Sequence, residues 1–305
     1  MTYAYEQILF APKWYHYLTI LILLPVALCY GIFMLLRRIL TSKKSFDIPI
    51  VSIGNLIVGG SGKTPFVIAL ASKYKDVTII SRGYGRKSKG LLKVSQKGEI
   101  LTLVEESGDE PMLMAHSLPN ASVIVSEDRH KAIKLAKEEG AKLVILDDGF
   151  NRVEIEKYEI LLKPEMIRNH LPFPAGPFRE FGFAEKYADI VAKEGEDFVR
   201  KVSFKDLMPK MLLVTAISNP HRLDRYLPEG VVQKVYLEDH AYFEEEELQR
   251  LMKECGAQSL LVTQKDAVKM QGFKLPLSIM KLKLEIKNEI FTQVDVYIKG
   301  YGHEK

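Results

Sequence analysis

Residues 57–64 contain the glycines and side chains that a phosphate-binding loop needs. The stretch reads Ile57-Val58-Gly59-Gly60-Ser61-Gly62-Lys63-Thr64. In a P-loop, glycines allow successive backbone N–H groups to point at one phosphate, and the N-terminus of the next helix adds positive potential. Lys63 would contact the outer phosphates, and the Thr64 hydroxyl would hold Mg²⁺. We therefore predict that residues 58–64 bind a nucleotide.

The segments on either side of this loop favour a P-loop over an ordinary glycine turn. The usual pattern has a glycine five residues before Gly62, where this chain has Ile57, and Gly-Lys-Thr alone also occurs in simple turns. However, apolar runs predict a strand over Ile48–Ile53 and a helix over Phe66–Ala71. A strand, a glycine-rich turn and a helix form the context that a P-loop requires.

Two adjacent carboxylates are candidates for the metal site of the same nucleotide. Asp147 and Asp148 follow an apolar strand predicted over Leu143–Leu146. In P-loop enzymes a carboxylate at the carboxyl end of a strand reaches the Mg²⁺ shell, whereas the alternative is a solvated acidic turn. We predict Asp147 and Asp148, together with Thr64, as metal ligands.

These residues need an α/β scaffold, and the rest of the chain predicts one. Short apolar runs alternate with helical stretches, which is typical of a parallel sheet with crossover helices. The other predicted strands are Val77–Ile80, Ser122–Val125, Leu212–Ala216, Val231–Leu237 and Ser259–Thr263, and the helices are Asp128–Glu139 and Glu244–Cys255. Leu171–Glu180 is predicted to be a loop because it is rich in proline and glycine.

Composition permits a cytosolic nucleotide enzyme of one or two domains. The chain has 305 residues, of which 47% are hydrophobic, so it can build sizeable cores. Its net charge of +4 does not by itself call for nucleic acid. The two cysteines, Cys29 and Cys255, lack metal-like spacing and fit a reducing compartment without disulfides.

Residues 17–36 contain no charged side chain, and 20 such residues can cross a bilayer core as a helix. A cleaved signal peptide would have a shorter apolar core and a small-residue cleavage site, and a buried core helix would show a polar face. We therefore predict a membrane helix, which Pro25 can kink. Four basic residues follow it and place the next domain on the cytoplasmic side: Arg37, Arg38, Lys43 and Lys44.

With these features the chain resembles the tetraacyldisaccharide 4′-kinase family of lipid A biosynthesis over nearly its whole length. The resemblance is carried, beside the P-loop and the apolar helix, by Gly54-Asn55-Leu56, Ser81-Arg82-Gly83-Tyr84-Gly85-Arg86, Gly108-Asp109-Glu110-Pro111, Ser126-Glu127-Asp128-Arg129, Asp147-Asp148-Gly149-Phe150, Pro174-Ala175-Gly176-Pro177-Phe178-Arg179-Glu180, Asn219-Pro220, Asp239-His240 and Thr263-Gln264-Lys265-Asp266-Ala267. Each motif alone is only weakly specific, but together and in this order the motifs are very specific to the family. The family's P-loop also lacks the first glycine.

The resemblance implies an enzyme that uses ATP and Mg²⁺ to phosphorylate the 4′-hydroxyl of a tetraacylated glucosamine disaccharide 1-phosphate. It implies a location at the cytoplasmic face of the inner membrane, with the lipid and the membrane surface as partners and no nucleic acid or obligate protein partner. The implied architecture is an anchor helix with its basic flank (1–44), a P-loop kinase domain (45–193), a β-ribbon linker (194–205) and a smaller α/β domain (206–305), with a cleft between the domains.

By the same resemblance, Asp109 is the candidate catalytic base and His240 its partner. Arg179 would neutralise the transferring phosphate, and Glu180 would support Mg²⁺ or the substrate, although both also fit a surface ion pair. A basic loop would contact the lipid 1-phosphate or anionic headgroups, the alternative being a solvated loop; its residues are Arg82, Arg86, Lys87 and Lys89. The family commonly has Gln-His where this chain has Asn151-Arg152, so that histidine's role does not transfer.

Two other classes compete with this interpretation. One is a different membrane-tethered P-loop enzyme, such as a GTPase or another small-molecule kinase. A GTPase carries an Asn-Lys-x-Asp guanine-binding motif, and the nearest string, Thr263-Gln264-Lys265-Asp266, lacks the asparagine and the spacing. The other is a non-enzymatic nucleotide-dependent anchor or scaffold. Phosphorylation of the lipid disaccharide with labelled ATP distinguishes all three.

Overall fold

Strands and helices alternate along much of the chain. We describe the protein from a computed structural model, which covers residues 3–59, 62–164 and 167–301. Its helices are α1 (Tyr3–Phe10), α2 (Tyr17–Leu40), α3 (Lys63–Ala71), α4 (Val104–Ser107), α5 (Asp109–Ser117), α6 (Arg129–Glu138), α7 (Glu245–Cys255), α8 (Gln264–Ala267) and α9 (Asn288–Gly300). Its strands are β1 (Ile50–Gly54), β2 (Val77–Ser81), β3 (Leu92–Gln96), β4 (Glu99–Ile100), β5 (Ser122–Val125), β6 (Leu143–Asp147), β7 (Tyr158–Lys163), β8 (Ile190–Lys193), β9 (Phe198–Lys205), β10 (Met211–Thr215), β11 (Val231–Tyr236), β12 (Ser259–Thr263) and β13 (Leu277–Ile286).

Contacts between residues divide the chain into two compact units. Unit 1 comprises the described residues of Met1–Lys63, Lys137–Val199 and Ile286–Lys305. Unit 2 comprises Thr64–Ala136 and Arg200–Glu285. The domain boundaries expected from the sequence, after residues 44, 193 and 205, stay a prediction.

The strands of unit 1 run parallel in the order β6-β1-β7-β8. All five residues of β1 and of β6 are buried, because strands in the middle of a parallel sheet are covered on both faces. Ile53 of β1 lies opposite Asp147 of β6, so both strands end at the same edge. The P-loop leaves β1 at this edge, where Asp147 and Asp148 also lie.

Unit 2 contains strands of both orientations. β2 and β5 are parallel, while β3 is antiparallel to β5 and to β4. A second sheet has the order β11-β10-β12-β13-β9, with parallel pairing from β11 to β13. Its core packs β10 and β12 against α7 through fully or nearly fully buried side chains, among them Leu212, Val214, Leu248, Met252, Leu260 and Val262.

Helix α2 is the apolar segment predicted for the membrane. Within the described part of the chain it is the one helix that is long and apolar enough to cross a bilayer, judged by length and composition. The helix continues through Pro25. One face is buried, with Gly31 against the Phe181 ring and Ala27 packed with Ala175. Its other faces expose large apolar side chains, which is consistent with membrane anchoring.

The α/β class with parallel strands and one N-terminal apolar helix is confirmed. The predicted strands Ser122–Val125 and Ser259–Thr263 coincide with β5 and β12. The helix predicted over Glu244–Cys255 is α7, one residue shorter. Helices α5 and α9 and strands such as β3, β7 and β13 were not predicted from the apolar runs.

Candidate active site

The backbone of the predicted P-loop requires glycine at the positions that can be described. Gly59 has φ +90° and Gly62 has φ +81°, in the left-handed region where a Cβ atom is disfavoured. Helix α3 begins at Lys63, directly after Gly62, and has nine residues. The Thr64 side chain is buried in its first turn. Gly60 and Ser61, which we also predicted to bind nucleotide, lie outside the described residues. Val58 is half-buried, and its N–H donates to Pro177 O at 2.8 Å.

Lys63 is held by two oxygen groups of unit 1. Its Nζ lies 3.4 Å from Asp148 Oδ1 and donates to Asn55 Oδ1 at 3.1 Å. Asn55 is fully buried, and its own amide donates to Ile57 O at 2.8 Å. Asn55 therefore fixes the lysine and the start of the loop together. The sequence offered Asn55 only as part of a motif, without a role.

Asp148 joins Lys63 to Arg179. Arg179 Nη1 donates to both carboxylate oxygens of Asp148 at 3.0 Å. Asp148 has φ +53°, a strained region that aspartate tolerates and that is enriched at functional sites. Burial alone would raise the pKa of the Asp148 carboxyl, but Lys63 and Arg179 hold that pKa below its ordinary value. Three charged groups predicted from separate motifs therefore form one cluster.

The oxygen groups at this sheet edge fit a magnesium ion. Asp147 is the last residue of β6 and is 4% exposed, and Asp148 follows it. Carboxylate and hydroxyl oxygens are the ligands that Mg²⁺ prefers, and the ion is usually held by one or two carboxylates plus phosphate oxygens and water. Residues 3–59, 62–164 and 167–301 contain no cluster of three or more His, Cys, Asp or Glu side chains arranged for a metal, and the magnesium site stays a prediction.

Glu180 has a partner that the sequence did not indicate. Its two carboxylate oxygens accept hydrogen bonds from Arg38 at 2.7 and 2.8 Å, and both side chains are almost fully buried. Arg38 also donates to Phe150 O at 3.1 Å and lies over the Phe150 ring. The end of α2 is thus tied to the segments that carry Asp148 and Arg179. Glu180 as a metal ligand stays a prediction.

Asp109 and His240 form a direct pair within unit 2. Asp109 is the first residue of α5 and is 4% exposed. His240 Nδ1 lies 2.9 Å from Asp109 Oδ2 and 3.1 Å from Oδ1. His240 lies in the left-handed region at φ +64°, and its backbone N–H donates to Ala216 O at 3.1 Å. The fold therefore turns the imidazole towards the carboxylate at some cost in backbone strain.

The charges around this pair shift both titrations. The hydrogen bond that the Asp109 carboxylate accepts from His240 raises the pKa of the imidazole above its ordinary value. Burial raises the pKa of Asp109, but His240 and Lys265, helped by Lys269, outweigh burial and leave that pKa lowered. These shifts favour an ionised Asp109 carboxylate that is hydrogen-bonded to a protonated imidazole.

A small pocket opens beside the pair and is lined by Tyr84, Gly85, Gly108, Asp109, His240 and Lys269. The Tyr84 ring lies 5.4 Å from the His240 ring. A hydroxyl group bound here would meet a carboxylate that can accept its proton. The contact between Asp109 and His240 brings together the two residues predicted as base and partner, while their catalytic roles stay a prediction.

The predicted basic loop is only partly free to meet a ligand. Arg86 donates to Glu127 Oε1 at 2.6 Å, and its side chain is 2% exposed. Lys87 Nζ lies 5.5 Å from the centre of the Tyr242 ring. Arg82 and Lys89 are exposed. The structure thus gives Arg86 a structural ion pair, while contact between this loop and the lipid stays a prediction.

Comparison with known proteins identifies a family that fits these groups. A family model described as tetraacyldisaccharide-1-P 4′-kinase (LpxK) matches residues 19–206 and 197–299. The tetraacyldisaccharide 4′-kinase of Helicobacter pylori strain 26695 is 47% identical over 283 residues, which cover 92% of this chain and 90% of the relative. That of Aliarcobacter butzleri is 44% identical and covers 97% of both chains. The crystal structure of "apo" LpxK from Aquifex aeolicus in complex with ATP matches with a TM-score of 0.78 and 30% identity, covering 92% of this chain and 99% of that one.

Proposed function

Because this chain belongs to the tetraacyldisaccharide-1-P 4′-kinase family and is therefore a kinase, we propose that it phosphorylates the 4′-hydroxyl of a tetraacylated glucosamine disaccharide 1-phosphate with ATP. The reaction belongs to lipid A biosynthesis. The observation that carries the proposal is the contact between Asp109 and His240, because a sugar hydroxyl needs a proton acceptor. The family match, which extends from residue 19 to residue 299, supports the choice of substrate.

The residues at the edge of the unit 1 sheet hold the phosphates of ATP. The predicted glycine-rich loop would offer backbone N–H groups to the phosphates, and Lys63 would contribute a point charge to the outer ones. Arg179 neutralises charge that develops on the γ-phosphate, through its planar guanidinium. Asp148 holds Lys63 and Arg179 in place before ATP arrives. Such preorganisation lowers the cost of arranging charges in the transition state.

Thr64, Asp147 and Asp148 would hold Mg²⁺, which neutralises phosphate charge when it is bound. Thr64 would contribute its hydroxyl and the aspartates their carboxylates. All three donors are oxygens, as this ion requires. Glu180, held by Arg38, would act on this site through the position of Arg179, its neighbour in the chain.

Asp109 accepts the proton of the 4′-hydroxyl as the oxygen attacks the γ-phosphorus. The new P–O bond forms as the bond to the β,γ-bridging oxygen breaks, and ADP leaves with that oxygen. His240 stabilises the ionised carboxylate before the reaction and shares the proton's charge afterwards. Because the Asp109 pKa is lowered, the carboxylate is available throughout the neutral range.

We further propose that the enzyme acts at the cytoplasmic face of the inner membrane, anchored by α2. The four acyl chains keep the substrate in the bilayer, so an enzyme held at the surface need only search in two dimensions. The exposed apolar side chains of α2 suit the acyl region, and basic residues follow the helix on the side where ATP is available. Arg82 and Lys89 would contact phosphate groups at this surface.

The test is transfer of labelled phosphate from ATP to the disaccharide in mixed micelles. The wild-type chain and the control Lys75→Ala, an exposed lysine, should form 4′-phosphorylated product at similar rates. Lys63→Ala should lower kcat by about 100-fold or more, since it removes a contact made to the transferring phosphates. Product formed with GTP but not ATP would favour another P-loop enzyme. ATP binding without any phosphorylation of the lipid would favour a scaffold.

A further inference from the structure

Lys269 is a buried cation that the phosphoryl-transfer scheme leaves without a role. It lies in the 3-10 helix Val268–Met270, which follows α8, and its side chain is 1% exposed. Lysine is almost never buried to this extent unless a carboxylate or a carbonyl compensates for the lost water. Its partners therefore indicate what the buried charge does.

The ammonium group of Lys269 contacts Asp109 and the residue that follows His240 in the chain. Its Nζ lies 3.5 Å from Asp109 Oδ2. It also donates a hydrogen bond of 2.9 Å to the carbonyl of Ala241, the residue directly after His240. One side chain thus attracts the carboxylate and fixes the backbone that presents the imidazole in its strained conformation.

The other carboxylate near Lys269 is already satisfied. Asp266 Oδ1 lies 3.9 Å from Lys269 Nζ, too far for a hydrogen bond. Asp266 instead accepts hydrogen bonds from the hydroxyls of Thr215 and Thr263 and from the N–H of Ala216. The charge of Lys269 therefore lies between Asp266 and the slightly nearer Asp109, and Asp109 is the one of the two with fewer other hydrogen-bond donors.

A second lysine near Asp109 interacts with three carboxylates. Lys265 Nζ lies 3.3 Å from Glu110, 3.6 Å from Asp109 and 3.7 Å from Asp239. Its side chain is 17% exposed, so water screens it more than it screens Lys269. Lys269 is the cation that is both fully buried and bonded to the histidine loop.

We propose that Lys269 is a positioning residue that holds the Asp109 carboxylate ionised and aimed into the pocket and keeps His240 in register with it. The proposal rests on the proposed function, because it takes Asp109 as the acceptor of the substrate proton. Lys269 need not contact the substrate for this role. It acts through the two groups that do the proton transfer.

The groups facing Asp109 determine how its titration responds to the loss of this charge. They are Glu110 on its own helix, Asp239, His240 and Tyr242 on the loop after β11, Lys265 on α8 and Lys269. Removing Lys269 leaves His240 and Lys265 to oppose burial. The carboxylate then binds a proton at higher pH, so the acid limb of the kcat/KM profile moves upward.

The experiment compares Lys269→Gln and Lys269→Met with the wild-type chain and with Lys253→Gln, an exposed lysine on α7. Glutamine keeps a donor for the Ala241 carbonyl but removes the charge, whereas methionine removes both. We expect kcat to fall about 10-fold to 100-fold and the acid limb to rise by about one pH unit in both variants. Methionine should lower kcat further than glutamine does. The Kd of ATP should stay within about twofold, because the phosphate-binding residues are untouched.

Separate results overturn the two proposals. An unchanged acid limb in a folded, active Lys269→Gln variant would rule out the positioning role and leave the proposed function standing. Absence of lipid phosphorylation by the wild-type chain would refute the proposed function and this assignment with it. Should Lys269→Gln fail to fold, Lys269→Arg decides: it keeps the charge, so kcat should fall while the acid limb stays within about 0.3 pH units of wild type. A full shift in Lys269→Arg would contradict the proposal.

Discussion

Asp109 and His240 are in contact although 131 positions separate them in the chain. Each comes from a short motif that has no catalytic meaning by itself: an aspartate before Glu-Pro, and a histidine after aspartate. The family resemblance predicted their pairing, and the structure adds the contact distance, the burial of the carboxylate and the strained backbone that presents the ring. These features indicate that the two residues act together, so substitutions of both should have coupled effects on the reaction.

If Asp109 and His240 work as one unit, their substitutions should not be additive. We expect Asp109→Asn and His240→Ala each to lower kcat by about 100-fold or more, with smaller effects on KM. The double variant should be no more than about threefold slower than the slower single variant. Steady-state kinetics of the four proteins measures this. Losses that multiply fully would show that the two residues act independently.

The same pair predicts a pH-dependent contribution to stability. The His240 pKa is raised in the folded protein, so its stabilising effect is complete below the unfolded value of about 6.5 and is lost as pH rises through the folded pKa. The Asp109 pKa is lowered, so that carboxylate contributes above its unfolded value of about 3.9 and stops contributing as pH falls through the folded pKa. The pair therefore stabilises most in weak acid.

We expect the melting temperature of His240→Gln to fall furthest below wild type near about pH 5.5 and to approach it by about pH 9. Thermal melts across this range test the sign. His221→Gln is the matched control, since that histidine is exposed and belongs to another cluster. A melting temperature of His240→Gln that falls further below wild type as pH rises would contradict this prediction.

At the scale of elements, α2 is attached to the phosphate-binding edge by one buried ion pair. Arg38 and Glu180 are 7% and 3% exposed at their side chains, and Arg38 reaches Phe150 as well. Such a pair stabilises the fold little more than apolar residues of the same shape would, but removal of one partner leaves the other charge buried and unpaired. The fold should therefore lose less stability when Arg38 and Glu180 are both replaced by apolar residues than when only one of them is.

We expect Arg38→Met to destabilise the protein by about 3–5 kcal/mol, because Glu180 would stay buried without its partner. Arg38→Met/Glu180→Met should recover part of this loss. Arg37→Met is the control, as Arg37 is 33% exposed and its salt bridge to Glu154 is longer, at 3.7 Å. Denaturant unfolding of the four proteins in detergent gives the free energies. An equal decrease in the free energy of unfolding for Arg37→Met and Arg38→Met would show that burial of the Arg38–Glu180 pair has no effect on stability.

At the scale of the whole molecule, one face of α2 packs against the protein and its other faces are exposed. Ile20, Ala27, Gly31 and Met34 repeat at helical spacing and are buried. Residues on other faces are exposed although they are large and apolar, which costs free energy in water and not in lipid. The anchor is therefore also a packed part of unit 1.

We expect replacement of exposed apolar residues of α2 to weaken membrane binding without harming the nucleotide site. Leu18→Ser, Ile22→Ser and Phe33→Ser alter side chains that are 69%, 68% and 63% exposed. Each should weaken vesicle binding by about 1–2 kcal/mol, and the triple variant should phosphorylate lipid in vesicles at least about tenfold more slowly. Vesicle co-sedimentation and ATP titration measure the two effects. The matched control Val296→Ser alters an apolar residue, 67% exposed, on α9. Unchanged co-sedimentation of the triple variant would show that this face does not enter the bilayer.

Local sequence patterns located two strands to the residue. β5 and β12 were located to the residue because they are continuous apolar runs, buried almost throughout. α5 was missed because Pro111 in its first turn and polar residues at its start resemble a loop. β13 was missed because its half-buried residues mix with lysines along the strand. The loop Leu171–Glu180 was predicted from its prolines and has no helix or regular strand.

The sequence by itself identified the family and its kinase class and predicted the site residues, since a glycine-rich loop, paired aspartates and ordered motifs are local and need no knowledge of packing. It also determined the α/β class and the apolar helix, because both follow from periodicity and length. Tertiary structure alone decided which polar side chains meet: Lys63 with Asn55, Glu180 with Arg38, and Lys269 with Asp109. The last two contacts join residues more than 100 positions apart. No local pattern encodes them, because they arise only when separate elements pack and each buried charge must find a partner.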